Sequence, residues 1–585
     1  MLPVKKWWGK SVMAYVAEVL VGYGLLELLI YIIFPFWKAK SGDLALSVLV
    51  LTFASACLEK KRQFLLRTLF MAVLLMAPAF VGLLAKQPLP IAMQYRTIAF
   101  SLIFSGAFFF LQAILPFRKI RIGISAVFYL IVFLLFLLPW GYFFASHSLL
   151  NASAVLAVFQ TNPAEAKSYL VDFMPWQAWG IMAVLLAAYV FLLRQWRPSL
   201  LSMRTSLQNR WGILLIMFCI VLTSYSLYRT RDSFYKHLAW ESQRGLQAYR
   251  DFSLYREARA SSLKEDLSGI NKGHSGVYVL VIGESQNRMH MSAYGYNQET
   301  TPWLDRMKND SHTVFFTDAR SCHTHTVPVL SYALTAKNQY DHRDLAKATT
   351  LIEAAKAAGY KTVWLSNQVR YGAWDTPTSA IASEADQQEW LNTHVGETTE
   401  TAVYDGALAD RLAEVKPSDK MLIVIHLMGN HGSYIDRYPQ DFAVEKGPTA
   451  EYDNSILYND YVVQHIYDTA KQMPNFQGMV YFADHADDVD RNIGHDASRF
   501  TQDMTRIPFY MIFSDDYMKD YPGAVRELRA HATSGFTNDL IYNTMLAVMG
   551  VVIPRDYEEQ NDLTCPEYNN DKTRFRTLHG QQELD

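Results

Sequence analysis

Seven apolar runs crowd the first 230 residues of this 585-residue chain, and they limit its fold more than any other feature. They lie near 11–37, 43–58, 64–85, 97–117, 121–145, 178–195 and 211–228. A helix needs about 20 mostly apolar residues to cross the hydrocarbon layer, so these runs read as membrane spans, the second of them short. The first run is too long for the core of a cleaved leader and more runs follow it, so a span is expected there. Basic clusters alternate along the series: Lys5, Lys6 and Lys10, then Lys60, Lys61 and Arg62, then Arg118, Lys119 and Arg121, then Arg194, Arg197, Arg204 and Arg210. Alternate loops rich in Lys and Arg place themselves and the N-terminus in the cytoplasm, and an odd number of spans puts the rest of the chain outside. Glu18 and Glu27 fall within the first run. Carboxylates at that depth are functional candidates, although packing against a neighbouring helix is the plainer reading.

Charge divides the chain at the same place. Residues 1–230 hold 20 Lys/Arg and 6 Asp/Glu out of totals of 54 and 56, so the two parts carry +14 and −16. Only 19% of residues are charged, below the roughly 25% of an ordinary soluble domain. Disorder and nucleic-acid binding are poor readings of such a chain. The expected organisation is a transmembrane domain over 1–228, a polar and helix-prone connector over 229–275 able to lie on a membrane surface, an α/β domain over 276–555, and a polar C-terminal tail over 556–585.

The second half alternates short β-type runs with helical stretches, the pattern of a mostly parallel sheet covered by helices. Four runs end in chemistry. Val277–Ile282 leads to Glu284, Thr362–Leu365 to Asn367 and Gln368, Met421–Leu427 to His431, and Met479–Phe482 to Asp484 and His485. Ligands of open α/β sheets bind outside the carboxyl ends of the strands. Glu, Asp and His arriving there together suggest one zinc site. His426 lies inside its run and reads as a core or supporting residue. The candidate nucleophile lies in Ser321-Cys322-His323-Thr324-His325-Thr326-Val327-Pro328. Pro328 suits the first turn of a helix, whose free N–H groups attract phosphate, and a hydroxyl there needs a base or metal to activate it. Spacing leaves Thr324 and Thr326 both open, and His323 and His325 remain alternative ligands.

Gly283-Glu284-Ser285, Met291–Tyr296, Thr300-Thr301-Pro302, the threonine segment, Gly429–Tyr434 and Ala483-Asp484-His485 together resemble the motifs of bacterial phosphoethanolamine transferases, in the alkaline-phosphatase/sulfatase superfamily. The resemblance implies that Thr326 is the nucleophile and that Glu284, Thr326, Asp484 and His485 hold one zinc ion. It implies that His431 and His495 act beside it, lining a donor-phosphate or second zinc site, and that Asn367 and Gln368 contact substrate. Gln160-Thr161 with Glu165 looks like the family's head-group loop, with Thr161 and Glu165 as its contacts, although Ala157 stands where the family carries Asn. The implied reaction moves phosphoethanolamine from phosphatidylethanolamine to lipopolysaccharide, at the lipid A or the inner core, through a phospho-threonine-type intermediate. The implied setting is the inner membrane, with the catalytic domain in the periplasm. The alternatives are a phosphoglycerol transferase using phosphatidylglycerol and an inactive membrane-anchored lipid-binding protein. The family usually has five spans and often several disulfides. Here two extra N-terminal helices are expected, and of Cys57, Cys219, Cys322 and Cys565 only the last two could pair, free thiols being the alternative. Tyr332 stands where a partner for Cys322 would be.

Overall fold

A computed structural model describes residues 20–21, 42–160, 174–195, 201–203, 210–258, 267–369, 377–392 and 403–585. It divides into two compact units, one of Met1–Ala152 with Phe173–Gln243 and one of Ser153–Asp172 with Arg244–Asp585.

The first unit is helical. Ile91–Ile114, Arg118–Ser146 and Gly212–Arg229 are long and apolar enough to cross a membrane. Lys61–Leu75 and Ala77–Leu84 meet at a bend of 41° and make a fourth such element if they form one span. Gly42–Ala56 and Trp176–Phe191 are shorter apolar helices. Pro78 sits in the first turn of Ala77–Leu84, where its missing N–H costs nothing. Val127, Leu130, Ile131, Leu134 and Leu138 of Arg118–Ser146 are exposed, an outward apolar stripe suited to lipid. The charges at the helix ends are paired. Asp43 lies 3.1 Å from Arg229 and 3.7 Å from Arg96, and Arg96 lies 2.6 Å from Asp232. The expected first span, with Glu18 and Glu27, lies outside the described residues apart from 20–21.

The second unit is built on strands β1 Gly276–Gly283, β2 Thr313–Phe316, β3 Ala319–Arg320, β4 Lys361–Val369, β5 Gln387–Asn392, β6 Lys420–His426, β7 Phe476–Ala483, β8 Phe509–Phe513, β9 Phe536–Thr537, β10 Arg576–Thr577 and β11 Gln582–Glu583. Seven of them form one sheet in the order β2-β8-β7-β1-β6-β4-β5. β7, β1, β6, β4 and β5 run parallel, and β8 is antiparallel to both of its neighbours. β1 is buried along its whole length, which explains why it reads as one continuous apolar run. Successive side chains of a strand point to opposite faces. Tyr278, Leu280 and Ile282 accordingly join one core, and Val277, Val279 and Val281 join the other.

The four strands singled out by their ends are the four adjacent ones, β7, β1, β6 and β4. Sequence order does not show this. One boundary differs from the expectation. β4 runs on to Val369, so Asn367 and Gln368 lie within the strand and not after it. Its pairing with β6 stops at Ser366, opposite His426, and its register with β5 shifts between Ser366 and Val369. That irregularity frees the last residues of β4 to reach across the sheet end.

Candidate active site

Glu284 leaves β1 and is almost fully buried. The next residue, Ser285, takes a left-handed φ of 53°, and its backbone N–H donates to Asp484 Oδ1 at 3.1 Å. Asp484 follows β7, the neighbour of β1, and its own N–H donates to Gly283 O at 2.9 Å. The turn after β6 closes on the same point. Gly429 has φ 51°, and a Cβ there would stand 2.9 Å from both the N and O of Glu284. Asn430 N donates to Glu284 O at 2.9 Å, while Asp405 accepts from the N–H groups of Met428 and Gly429. Three strand ends are thereby tied together by backbone bonds before any side-chain chemistry is considered.

Thr326 opens the helix Thr326–Ala333. Its Oγ1 lies 3.1 and 3.2 Å from the two carboxylate oxygens of Glu284 and 3.4 Å from His485 Nε2. Thr324, the other hydroxyl open to spacing, is buried and meets His325 Nδ1 at 3.1 Å. His485 Nε2 lies 3.3 Å from Glu284 Oε1 and 3.5 Å from Asp484 Oδ2. Burial pushes the Glu284 carboxyl up to about 7, against the pull of His495, Ser285 and Thr326. Burial likewise lifts Asp484 to about 7, and the neighbouring Glu284 charge adds to it.

This donor set suits a zinc ion. Glu284, Asp484 and His485 each offer a ligand atom within 4.8 Å of the others, and all three are buried. Asp484 Oδ2 has no hydrogen-bond partner, an expensive state for a carboxylate oxygen unless a cation meets it. A second group, His485, Asp487 and His495, satisfies the same spacing.

Imidazoles flank one side of this centre. The His495 ring lies 4.4 Å from that of His485, 5.3 Å from His325 and 6.5 Å from His431. Burial pulls His495 down, but Asp487, 2.7 Å from its Nδ1, together with the Glu284 and Asp484 carboxylates raises the imidazole to about 9. His431 has no such partner; burial, aided by Arg437 and His495, pushes it down to about 3. The two neighbouring imidazoles are thus pushed in opposite directions. Gln368 Nε2 donates to Glu284 Oε2 at 3.2 Å and to Leu427 O at 2.8 Å. Asn367 turns the other way, donating to Asp405 Oδ1 and Val403 O. His426 is buried with its ring edge-on to Trp364, as a core residue. Thr161 and Glu165 lie outside the described residues. None of the four cysteines forms a disulfide.

Residues 277–551 match the sulfatase family model. The phosphoethanolamine transferase EptC of Escherichia coli is 28% identical over 461 residues, covering 72% of this chain and 79% of that protein. The phosphoethanolamine transferase CptA of Salmonella typhimurium is 26% identical over 489 residues, covering 77% and 83%. The chain is thus similar to sulfatase-family domains over 277–551 and, over most of its length, to named phosphoethanolamine transferases. The integral membrane lipooligosaccharide phosphoethanolamine transferase A of Neisseria meningitidis has the same fold, a helical N-terminal region and then an α/β domain. It aligns with a TM-score of 0.56 at 17% identity, over 86% of this chain and 98% of that one.

Two further contributors, Asp487 and Asn538, lie outside the motifs, and Gly429 has a role there that its motif did not reveal. Asp487 orients His495 and also accepts from Tyr434 at 2.6 Å. Its place two residues after His485, in Asp-His-Ala-Asp, was a readable signal. Asn538 accepts from Cys322 N at 2.9 Å and donates to Asp484 O at 2.6 Å, joining the nucleophile segment to the ligand turn. Nothing in the sequence marks it. Gly429 owes its role to a close approach that only the folded chain contains.

Proposed function

We propose that the protein is a zinc-dependent phosphoethanolamine transferase of the bacterial inner membrane, a multi-pass protein with its catalytic domain in the periplasm. It moves phosphoethanolamine from phosphatidylethanolamine to lipopolysaccharide, at the lipid A or inner core, through a covalent intermediate on Thr326. The observation that carries this reading is the Thr326 hydroxyl at a helix N-terminus, 3.1–3.4 Å from Glu284 and His485. The names of the Escherichia coli and Salmonella relatives, matched over most of their length, supply the transferred group.

Glu284, Thr326, Asp484 and His485 would hold the first zinc ion; a second, at the His485, Asp487 and His495 group, would take the place of the proton on His495. When bound, zinc supplies stabilisation of negative charge on oxygen, the main need of phosphoryl transfer. The chain's own groups do the rest. The free N–H groups of Thr326–Ala333 and the cationic His495 draw the donor phosphate into line with Thr326. Thr326 Oγ1 passes its proton to the Glu284 carboxylate it faces and bonds to phosphorus, the bond to the diacylglycerol oxygen breaks, and His495 is placed to give that oxygen a proton. In the second step an acceptor oxygen bonds to phosphorus and displaces Thr326, neutral His431 or the spent His495 taking the acceptor's proton and Glu284 returning one to Thr326. Thr161 and Glu165 would meet the ethanolamine head group, Glu165 favouring a cationic donor.

Replacing Thr326 by Ala is expected to abolish transfer while leaving a folded, membrane-bound protein. Intact-mass analysis of lipopolysaccharide from cells with wild type, variant or no gene reads this directly. The same spectra separate an added phosphoethanolamine from a phosphoglycerol, and the latter would replace the donor assigned here.

A further inference from the structure

The last strands, β10 and β11, pair as a small antiparallel hairpin. Its tip holds three consecutive left-handed residues, Leu578, His579 and Gly580, with φ of 51°, 53° and 87°. Only glycine adopts that region without a steric penalty. Two other side chains in succession persist there only where the surroundings hold them.

The surroundings are the segment that carries Thr326. His579 N donates to Cys322 O at 3.1 Å. Its ring Nε2 lies 3.2 Å from Pro328 O, and a carbonyl only accepts, so this nitrogen bears the proton. The ring stacks on Tyr332, with centroids 3.9 Å apart and planes within 2°. Gly580 N donates to Gln339 Oε1 at 2.9 Å, and Gln339 in turn donates to Arg576 O and to Asp539. Cys322 lies before Thr326 in the chain, and Pro328 and Tyr332 lie after it. One residue of the β10–β11 tip therefore grips the nucleophile segment on both sides of the hydroxyl, with its backbone N–H before it and its ring after it. Asn538, just past β9, ties Cys322 of the same segment to Asp484 through its hydrogen bonds.

We infer that His579 is a positioning residue for Thr326: the β10–β11 tip clamps the start of the helix so that Oγ1 stays within reach of Glu284 and His485. The inference rests on the reading of Thr326 as the attacking oxygen. Burial pushes the His579 imidazole down to about 4, so the ring acts neutral, as a clamp and not as a proton carrier.

The test uses the full-length enzyme in detergent micelles with phosphatidylethanolamine. It records single-turnover release of diacylglycerol, the half-saturating donor concentration, bound zinc and the melting temperature. His579→Leu fills space without a flat ring, whereas His579→Phe keeps the stack. The Leu variant is expected to react about 10–100-fold more slowly, the scale of a nucleophile displaced by about 1 Å. Its half-saturation, zinc content and melting behaviour should stay near wild type, and His579→Phe, which keeps the stack but loses the bond to Pro328 O, should recover part of the rate. The double variant with Tyr332→Leu should lose less than the product of the two single losses, because both remove the stack. If His579→Leu does not fold, Tyr332→Leu against Tyr332→Phe makes the same comparison from the other face of the stack. A folded Leu variant at wild-type rate overturns the inference, as does a rate lost only in step with zinc. Equal loss in the Phe and Leu variants overturns it as well. If wild type itself releases no diacylglycerol, the proposed function falls and this inference with it.

Discussion

At Gly429 a single methyl group would collide with the backbone of Glu284, and the left-handed φ compounds the problem. Gly429→Ala is expected to cost about 1–2 kcal/mol from the backbone conformation alone, and more from the displaced Glu284. A thermal melt should show a fall of several degrees together with reduced transfer. Glu284→Gln poses the complementary case. The amide keeps the size of the side chain but gives up the charge that faces Asp484 and His485. Zinc affinity, measured by competition with a chelator, should fall beyond the roughly 10–100-fold that losing an outer partner costs. The fold should persist, because relieving one of two adjacent buried carboxylates does not destabilise it. Full zinc retention in the variant would remove Glu284 from the ligand set. At this scale the residue types were legible, since Glu284, His431, Asp484 and His485 stand at readable strand ends. The choice of hydroxyl was not legible. Thr324 and Thr326 are two residues apart, and only the direction each side chain takes separates them.

Among the elements, β1 holds the site together because it lies between β7 and β6, with β4 one strand further out. The runs themselves could be read, as continuous apolar stretches bounded by polar turns, and so could the parallel arrangement implied by helices between them. Their order in the sheet could not, since pairing joins strands far apart in the chain and local pattern carries no record of it. β4 shows the same limit at its end, where Asn367 and Gln368 look like a turn but continue the strand past its last pairing with β6. Asn538, just past β9, joins two elements that are distant in sequence. Asn538→Ala would leave the buried N–H of Cys322 without its acceptor, a loss of about 1–3 kcal/mol. The expected outcome is a lower melting temperature and slower transfer with zinc still bound. An unchanged turnover rate would show that the link to Asp484 does not matter for the reaction.

For the molecule as a whole, an apolar helical unit and an α/β unit divide the work. Helices such as Arg118–Ser146 expose Val127, Leu130 and Leu134 to their surroundings, surface that water would not tolerate. Alkaline carbonate washing of membranes should therefore leave the protein in the pellet, and release into the supernatant would contradict membrane-spanning helices. Attachment matters to the proposed chemistry because donor and acceptor are both lipids, and a tethered catalyst need not search for them through solution.

The sequence by itself determined the apolar helical half, the opposite charge of the two halves, the α/β class of the second half and the family motifs. Each of these is written in composition or in short-range periodicity. Tertiary structure alone decided which strands are neighbours, that Thr326 Oγ1 meets Glu284 and His485, that Asp487 meets His495 Nδ1, and that His579 returns from the β10–β11 tip to grip the nucleophile segment. These depend on contacts between residues far apart along the chain, and such contacts exist only once the sheet has assembled and burial has fixed each side chain's partners.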